Sequence, residues 1–220
     1  MGRVILALIA LTVFSGQAAQ AKVVDERVYI IPAGDVDRKV LKAIKEELPA
    51  KLPMDAKIVI EDPKALPDAA YDASRRQYDA DAALKALSRR VVLIPSMECA
   101  LFITGEDLYV KDLNFVYGLA NPPKVSSIVS LARLKNEFYG LKSDHPLLVR
   151  RAVKESIHEL GHGWGLGHCA DKKCVMCFSD TIQDTDKKRA EFCHACRRGL
   201  QSRYGAPLAD VIGKNKDRKK

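Results

Sequence analysis

The run His-Glu-Leu-Gly-His-Gly-Trp-Gly-Leu-Gly-His at residues 158–168 carries the strongest structural signal in the chain. Because residues four apart share one face of a helix, the imidazoles of His158 and His162 project from the same side. Two ring nitrogens placed in this way can reach one zinc ion at about 2.0–2.1 Å. The run therefore predicts a helix that carries a metal site.

The rest of the run supplies the remaining parts of a catalytic site. Gly165 is expected to end the helix, because glycine tolerates the positive φ of a sharp turn. His168 then adds a third imidazole and leaves the fourth coordination position for water, as in catalytic zinc sites. Glu159 follows the first histidine directly and is placed to act on that water. We expect His158, His162 and His168 to hold a catalytic zinc, with Glu159 as the catalytic base.

The helix is expected to begin well before the histidines. Asp144 can cap its amino terminus, and Pro146 is favoured in a first turn. Apolar residues then recur at helical spacing and predict a buried stripe formed by Val149, Val153, Ile157 and Leu160. The active-site helix should therefore pack against the core along its length.

Strands and helices alternate in the first half of the chain. Apolar runs bounded by turn residues predict strands at 27–32, 57–61, 91–95, 100–104, 115–120 and 127–131. Asp35 is expected to cap a helix that runs to residue 48, and a second amphipathic helix is expected at 78–90. This alternation predicts an α/β (α+β) fold with a mixed, mostly parallel sheet and helices on its faces. After His168 we expect irregular, cysteine-containing structure.

The cysteines after the histidine run form a second signal. Two cysteine pairs that bracket a loop can supply four thiolates to a closed tetrahedral zinc site, here Cys169, Cys174, Cys193 and Cys196. Such a structural zinc would brace a loop-rich segment. Disulfides are the alternative if the protein is exported. Cys99 is expected to be a small buried hydrophobe, whereas Cys177 could replace one of the four ligands.

The amino terminus has the pattern of a secretory signal peptide. Arg3 supplies a positive charge, residues 4–14 are almost purely apolar, and Ala19-Gln20-Ala21 forms a cleavage site. We predict that residues 1–21 are removed and that no propeptide follows. The protein would then be secreted or periplasmic, or cytoplasmic if this segment is instead a first core strand or helix. The apolar run is too short to span a bilayer, so no stable membrane anchor is expected.

Length and composition indicate one globular domain. The chain has 220 residues, of which 47% are hydrophobic and 29% charged. We assign the domain to residues 22–212 and a basic, disordered tail to 213–220. The tail contributes to the net charge of +8, but such charged ends are usually solvated. Aromatic residues are only 6% and none interleaves with the tail, so we expect no nucleic-acid partner. We also expect a monomer.

With these motifs in place, the sequence resembles the archaemetzincins, a branch of the metzincin clan of zinc metallopeptidases. The resemblance rests on the histidine run, on Cys169, on Cys174-Val175-Met176 and on the Cys-x-x-Cys pair at 193–196. Four upstream motifs support it: Arg76-Gln77-Tyr78, Thr-Gly-Glu-Asp-Leu-Tyr at 104–109, Asn-Phe-Val-Tyr-Gly at 114–118 and Ser-Leu-Ala-Arg-Leu at 130–134. Together they cover most of the chain after the predicted signal peptide. Cys177 departs from the family pattern.

The resemblance implies a metzincin-like architecture. An upper subdomain with a mixed sheet and helices, and a small zinc-stabilised lower subdomain, would enclose a cleft, with the active-site helix between them. Met176 would form the methionine turn beneath the catalytic zinc. The four cysteines named above would hold a second, structural zinc.

The expected activity is peptide-bond hydrolysis by Glu159-assisted attack of zinc-bound water on a peptide or protein substrate. The resemblance favours an aminopeptidase, although the spacing does not separate exopeptidase from endopeptidase action. An extended substrate is expected to pair with an edge strand near residues 114–118. Two alternatives are a zinc-stabilised binding module without turnover and a zinc hydrolase acting on other amides or esters.

Overall fold

A five-stranded mixed sheet forms the centre of the molecule. The computed structural model describes residues 26–52, 56–93, 98–121 and 126–204; the predicted signal peptide and basic tail lie outside this part. The strands are β1 (Glu26–Ala33), β2 (Ala56–Ile60), β5 (Glu98–Thr104), β7 (Gly118–Asn121) and β8 (Ser126–Ser130), in the order β2-β1-β5-β8-β7. All neighbours pair in parallel except β7, which runs antiparallel to β8 at the edge. The mixed, mostly parallel α/β prediction is confirmed.

Helices cover both faces of this sheet. They are α1 (Arg38–Glu47), α2 (Ala80–Ser88) and the long α3 (His145–Gly163). Side chains of β5 alternate between two apolar clusters: Leu101 and Ile103 join the cluster that contains α1 and α3, whereas Ala100 and Phe102 join the cluster that contains α2. This alternation follows from the two-residue period of a strand. Every residue of β5 is buried, as expected for a strand covered on both faces.

The first two helices begin later than predicted. Asp37, not Asp35, caps α1, and its side chain accepts a hydrogen bond from the amide of Lys39. The chain must first turn away from β1 at Gly34, where φ is +81°. Asp79 caps α2, because the preceding residue, Tyr78, is held in a short strand.

A small second sheet accounts for other differences from the prediction. Strands β3 (Tyr71–Asp72), β4 (Gln77–Asp79) and β6 (Leu108–Tyr109) form it, in the order β3-β4-β6. The strand predicted at 91–95 is wrong for 91–93, which have no regular structure; residues 94 and 95 lie outside the described part. The strand predicted at 115–120 begins only at Gly118. Before it, residues 110–117 follow an irregular path with one bridge, between Leu108 and Val116.

The active-site helix α3 forms as predicted. Asp144 caps it by accepting a hydrogen bond from the amide of Leu147 at 2.9 Å. The helix ends at Gly163, and Gly165 adopts a φ of +86°. The predicted buried stripe lies in the core. The segment after His168 is more regular than expected, because it contains two further helices, α4 (Ile182–Lys187) and α5 (His194–Tyr204).

Two ion pairs fasten this lower segment to α3. The guanidinium of Arg151 contacts the Asp186 carboxylate at 2.7 Å. The Lys188 ammonium contacts the Glu155 carboxylate at 3.0 Å, and both side chains are at least 97% buried. No helix in the described ranges combines the length and apolar character that a membrane crossing requires.

Candidate metal centre and cleft

The structure brings His158, His162 and His168 together. Their donor nitrogens all lie within 4.8 Å of one another. The first two project from adjacent turns of α3, and the third returns after the turn at Gly165, where the amide of Leu166 binds the carbonyl of Gly161 at 2.9 Å. The helical spacing and the left-handed glycine therefore place three imidazoles around one point.

Backbone carbonyls orient two of these rings. His158 Nδ1 lies 2.8 Å from the carbonyl oxygen of Val175, and His162 Nδ1 lies 2.8 Å from that of Leu166. Since a carbonyl only accepts hydrogen bonds, each Nδ1 carries the proton and each Nε2 presents a lone pair. The two Nε2 atoms lie 3.1 Å apart. Zinc bound tetrahedrally would separate them by about 3.3 Å. A cation bound between the two Nε2 atoms would therefore fit this distance, and it would remove the repulsion between their lone pairs.

Burial favours the neutral form of all three rings. Burial lowers the pKa of His158 to about 3, and the nearby Lys188 ammonium acts in the same direction. Burial also lowers the pKa of His162 and of His168. Neutral imidazole is the form that binds a metal ion, so these residues fit zinc without first losing a proton.

Glu159 is a buried carboxyl group beside the histidines. Its Oε2 atom has no hydrogen-bond partner in the described part of the chain. Burial raises its pKa well above the ordinary value, and the negative charge of Glu155 raises it further. Gly118 allows the carboxyl group to sit there, since a Cβ at that position would lie 2.6 Å from Glu159 Cγ. This group can take up and hold a proton from a ligand in the cleft.

Met176 lies under the active-site helix. It is fully buried, and a Cβ on Gly161 would overlap its sulfur. Its carbonyl accepts a hydrogen bond from the amide of Cys169 at 2.9 Å. Glycine at position 161 therefore permits close packing of this turn against α3, next to Val175, whose carbonyl orients His158.

Cys169, Cys174, Cys193 and Cys196 also come together. Their sulfur atoms lie within 4.8 Å of one another, and the Cys169–Cys193 and Cys174–Cys196 sulfur distances are both 3.7 Å. A disulfide needs about 2.05 Å, whereas zinc bound to two thiolates at ~2.3 Å separates them by roughly 3.8 Å. Burial raises the pKa of Cys174 to about 11. A thiolate at that position therefore needs a nearby cation, which zinc would supply.

The two remaining cysteines lie apart from this group. All six cysteines fall in the described ranges, and none of them forms a disulfide there. Cys99 is buried in the core. The Cys177 sulfur contacts the carbonyl of Phe178 at 3.5 Å and is not among the clustered donors. The structure thus groups the four cysteines without Cys177.

An open cleft of about 690 Å³ runs over the three histidines. Its upper wall is formed by residues 113–120, including the edge strand β7, and its lower wall by residues 165–168 and 178–180. Leu113 and Phe178 remain about half exposed on the two walls. The segment at 114–118, predicted to meet a substrate, therefore lines the cleft.

Sequence reasoning placed Gly118 in the substrate-binding segment but missed that it makes room for Glu159, and it missed Glu155 and Lys188 as parts of this site. Glu155 lies one helical turn before Glu159, which is a usable signal. Its partner Lys188 is 33 residues farther along the chain, and nothing in the local sequence indicates the pair. Thr185 also donates a hydrogen bond to the Glu155 carboxylate, at 3.0 Å.

Comparison with known proteins gives consistent similarities. The sequence model of peptidase family M54 matches residues 7–202. The archaemetzincin of Pyrococcus furiosus is 40% identical over 82% of this chain and 95% of its own length. The archaemetzincin of Methanocaldococcus jannaschii is 41% identical over 80% of this chain and 94% of its own length.

Solved structures agree with this. The archaemetzincin of Methanopyrus kandleri superposes with a TM-score of 0.72 at 33% identity, over 84% of this chain and 98% of its own. A zinc-dependent peptidase from Methanocorpusculum labreanum superposes with a TM-score of 0.71 at 34% identity, over 79% of this chain and 99% of its own. The similarity therefore extends over the sheet, the active-site helix and the lower segment.

Proposed function

Since this chain belongs to peptidase family M54, the family of the archaemetzincins, and is a zinc metallopeptidase, we propose that it hydrolyses peptide bonds with Glu159 as general base and acid. The observation that carries the proposal is the position of this buried carboxyl group. It stands beside three converging imidazoles at the base of an open cleft.

His158, His162 and His168 would hold the catalytic zinc. When bound there, zinc lowers the pKa of water toward ~7 and polarises the scissile carbonyl. The carbonyls of Val175 and Leu166 keep two of the rings aimed at the ion, a supporting role that strengthens metal binding. Cys169, Cys174, Cys193 and Cys196 would hold a second, structural zinc.

Glu159 moves the proton in this scheme. Its carboxylate accepts a proton from the attacking water and then delivers it to the departing amine. Burial favours the protonated form of this side chain, so the carboxyl group can keep the proton between the two transfers. Its Oε2 atom, unpaired among the described residues, is the atom we assign to this task.

The substrate is proposed to bind as an extended peptide along β7. Among the described strands, β7 pairs with β8 alone, so its other edge can pair with the main chain of a substrate. The proposal includes removal of amino-terminal residues, which the family resemblance favours. Asp180, an exposed carboxylate on the lower wall, could receive a free α-ammonium group. Comparing one peptide with free and with acetylated amino terminus tests this part.

The proposal extends to the site of action. The predicted signal peptide supports export, so that the enzyme is secreted or periplasmic. We also propose that it acts as a monomer and binds no nucleic acid. Amino-terminal sequencing of the mature protein from its source would test the proposed cleavage after Ala21, and an intact terminus would reject it.

Replacing Glu159 by glutamine tests the catalytic assignment. The amide keeps the shape of the side chain but cannot accept the proton, so hydrolysis of a peptide should fall by at least ~99%. Zinc content should stay unchanged. Glu46→Gln, an exposed change on α1, is the matched control and should retain full turnover. Equal turnover of the Glu159→Gln variant and the unmodified chain would reject the proposed function.

A further inference from the structure

Three of the four upstream motifs that support the family resemblance meet at the carboxylate of Asp107, and two of their side chains also contact the fourth motif, at 114–118. The guanidinium of Arg133 forms a bidentate ion pair with Asp107. Its Nε donates to Oδ1 at 2.9 Å and its Nη2 donates to Oδ2 at 2.8 Å. Gln77 donates to Asp107 Oδ2 from its Nε2 atom at 2.8 Å. Asp107 therefore joins the motifs at 76–78 and 130–134.

This network continues into the upper wall of the cleft. The same Nε2 atom of Gln77 lies 3.0 Å from the carbonyl oxygen of Asn114. Arg75 Nη2 lies 2.9 Å from the carbonyl oxygen of Leu113 and 3.1 Å from that of Asn114. The guanidinium of Arg133 also stacks over the ring of Phe115, with Cζ 4.2 Å from the ring centre. Each contacted residue of the wall lines the cleft.

The wall needs these contacts because its backbone has little support of its own. Residues 110–117 form no regular strand, and Val116 makes the one bridge to Leu108. Asp112 adopts a φ of +70°, a conformation that costs a non-glycine residue free energy. A bidentate arginine–carboxylate pair is among the stronger and more directional contacts in proteins. Side chains from other elements therefore fix the shape of the wall.

We propose that Arg75, Gln77, Asp107 and Arg133, here called the wall cluster, are positioning residues for substrate binding. They hold residues 113–115 in the shape that receives an extended peptide, and they act on peptides long enough to reach this wall. The inference rests on the proposed peptidase function, because it assigns the wall to the substrate of that site.

Arg133→Lys is the main test. Lysine keeps the positive charge but loses the bidentate fork and the stacking on Phe115. Two ligands are titrated calorimetrically into the zinc-loaded protein: a decapeptide, and acetohydroxamate, which reaches only the metal centre. Peptide titrations use the Glu159→Gln background to prevent hydrolysis. The dissociation constant of the decapeptide should rise about tenfold, as expected for loss of one well-formed charged contact, while that of acetohydroxamate should change less than twofold.

Arg75→Ala provides a second test at an exposed residue. The thermal midpoint of unfolding is measured alongside, because the guanidinium also donates to Gln77 Oε1 at 3.0 Å and stacks over the ring of Tyr109. The substitution removes both contacts to the wall carbonyls and should weaken decapeptide binding about threefold. The matched control is Arg76→Ala in the same turn, an exposed arginine for which the described residues offer no hydrogen-bond or ion-pair partner. This control should bind both ligands as tightly as the unmodified protein.

The outcomes separate the two ideas. Equal weakening of decapeptide and acetohydroxamate binding, or no weakening of either, would overturn the role of the wall cluster. Failure of the unmodified zinc-loaded chain to cleave the decapeptide would instead reject the proposed function, while the binding comparison still tests the wall. Because Gln77 and Arg133 share Asp107 as a partner, Gln77→Ala combined with Arg133→Lys should weaken binding by less than the product of the single effects.

Discussion

Gly118→Ala should separate catalysis from stability. A Cβ at this position would lie 2.6 Å from Glu159 Cγ, 2.7 Å from Oε1 and 2.8 Å from Cδ. Carbon atoms in good contact lie ~3.5 Å or more apart, so one of the two side chains must move by about 0.9 Å. The alanine methyl group is fixed to the strand backbone, whereas Glu159 has three side-chain torsions. The carboxyl group will therefore retreat.

The two consequences of this shift differ in size. A displacement of a reacting group by about 1 Å can lower turnover on the order of 100-fold. The cost in folding free energy should be only ~1 kcal/mol, the low end for overpacking, because a flexible side chain yields rather than the backbone. The three atoms nearest to the added methyl group all belong to Glu159 and none to a histidine, so zinc should remain bound.

The assay is kcat/KM for a peptide, together with zinc content and the thermal midpoint of unfolding. Gly163→Ala is the matched control. It adds a methyl group at the end of α3, the helix that carries Glu159, at a position where the described structure leaves open space. We expect it to keep activity within about twofold, with stability equal or higher because alanine favours helix over glycine by ~1 kcal/mol. Full activity in Gly118→Ala would refute the idea that this glycine makes room for the catalytic carboxyl group.

Three further predictions concern the charges and metals around the site. Lys188→Met leaves the Glu155 carboxylate buried without its partner and should lower the free energy of unfolding in urea by about 3–5 kcal/mol; Lys187→Met, whose side chain is 69% exposed, should change it by less than ~0.5 kcal/mol. Cys174→Ser should reduce the metal content from two zinc ions per chain to one and lower the thermal midpoint, whereas Cys177→Ser should retain both ions; equal zinc content in the two variants would contradict the four-cysteine site. In the metal-free protein, burial lowers the pKa of His158 to about 3, so the unfolded chain binds its proton first as the pH falls below ~6.5. Stability should therefore decline from that pH down to about pH 3, less steeply in His158→Gln; identical urea midpoints against pH for both proteins would rule this out.

The sequence predicted those features that local spacing controls. Asp144, Pro146 and the apolar stripe defined α3, and the histidine spacing defined where three imidazoles would meet. The alternation of apolar runs gave the mixed sheet. In each case the signal lies within one or two turns of helix or one strand, where side-chain direction follows from backbone geometry.

Features that depend on distant partners were not accessible in this way. Asp35 and Asp37 are equally good caps by composition, and the choice falls to Asp37 because Gly34 first binds the carbonyl of Lys64 through its amide at 2.9 Å. Residues 115–117 have apolar side chains typical of a strand, yet they form part of the cleft wall. Just before them, the side chains of Arg75 and Gln77 bind the backbone carbonyls of residues 113 and 114 and hold the chain in an irregular path. Tertiary contacts outweighed local propensity at both places.

The helix α3 carries both the side chains that bind the lower segment and two of the three imidazoles. Arg151 and Glu155 bind the lower segment through Asp186 and Lys188, and the next turns carry the histidines and Glu159. Arg151, Glu155, His158 and His162 follow one another at spacings of four, three and four residues. Residues at these spacings lie on one face of a helix, so the face that holds the lower segment continues directly into the face that would hold zinc. The spacing of the metal ligands is therefore one part of a longer pattern along α3. The ion pairs to Asp186 and Lys188 hold the lower segment against the helix, and the imidazoles that follow converge at the proposed zinc position.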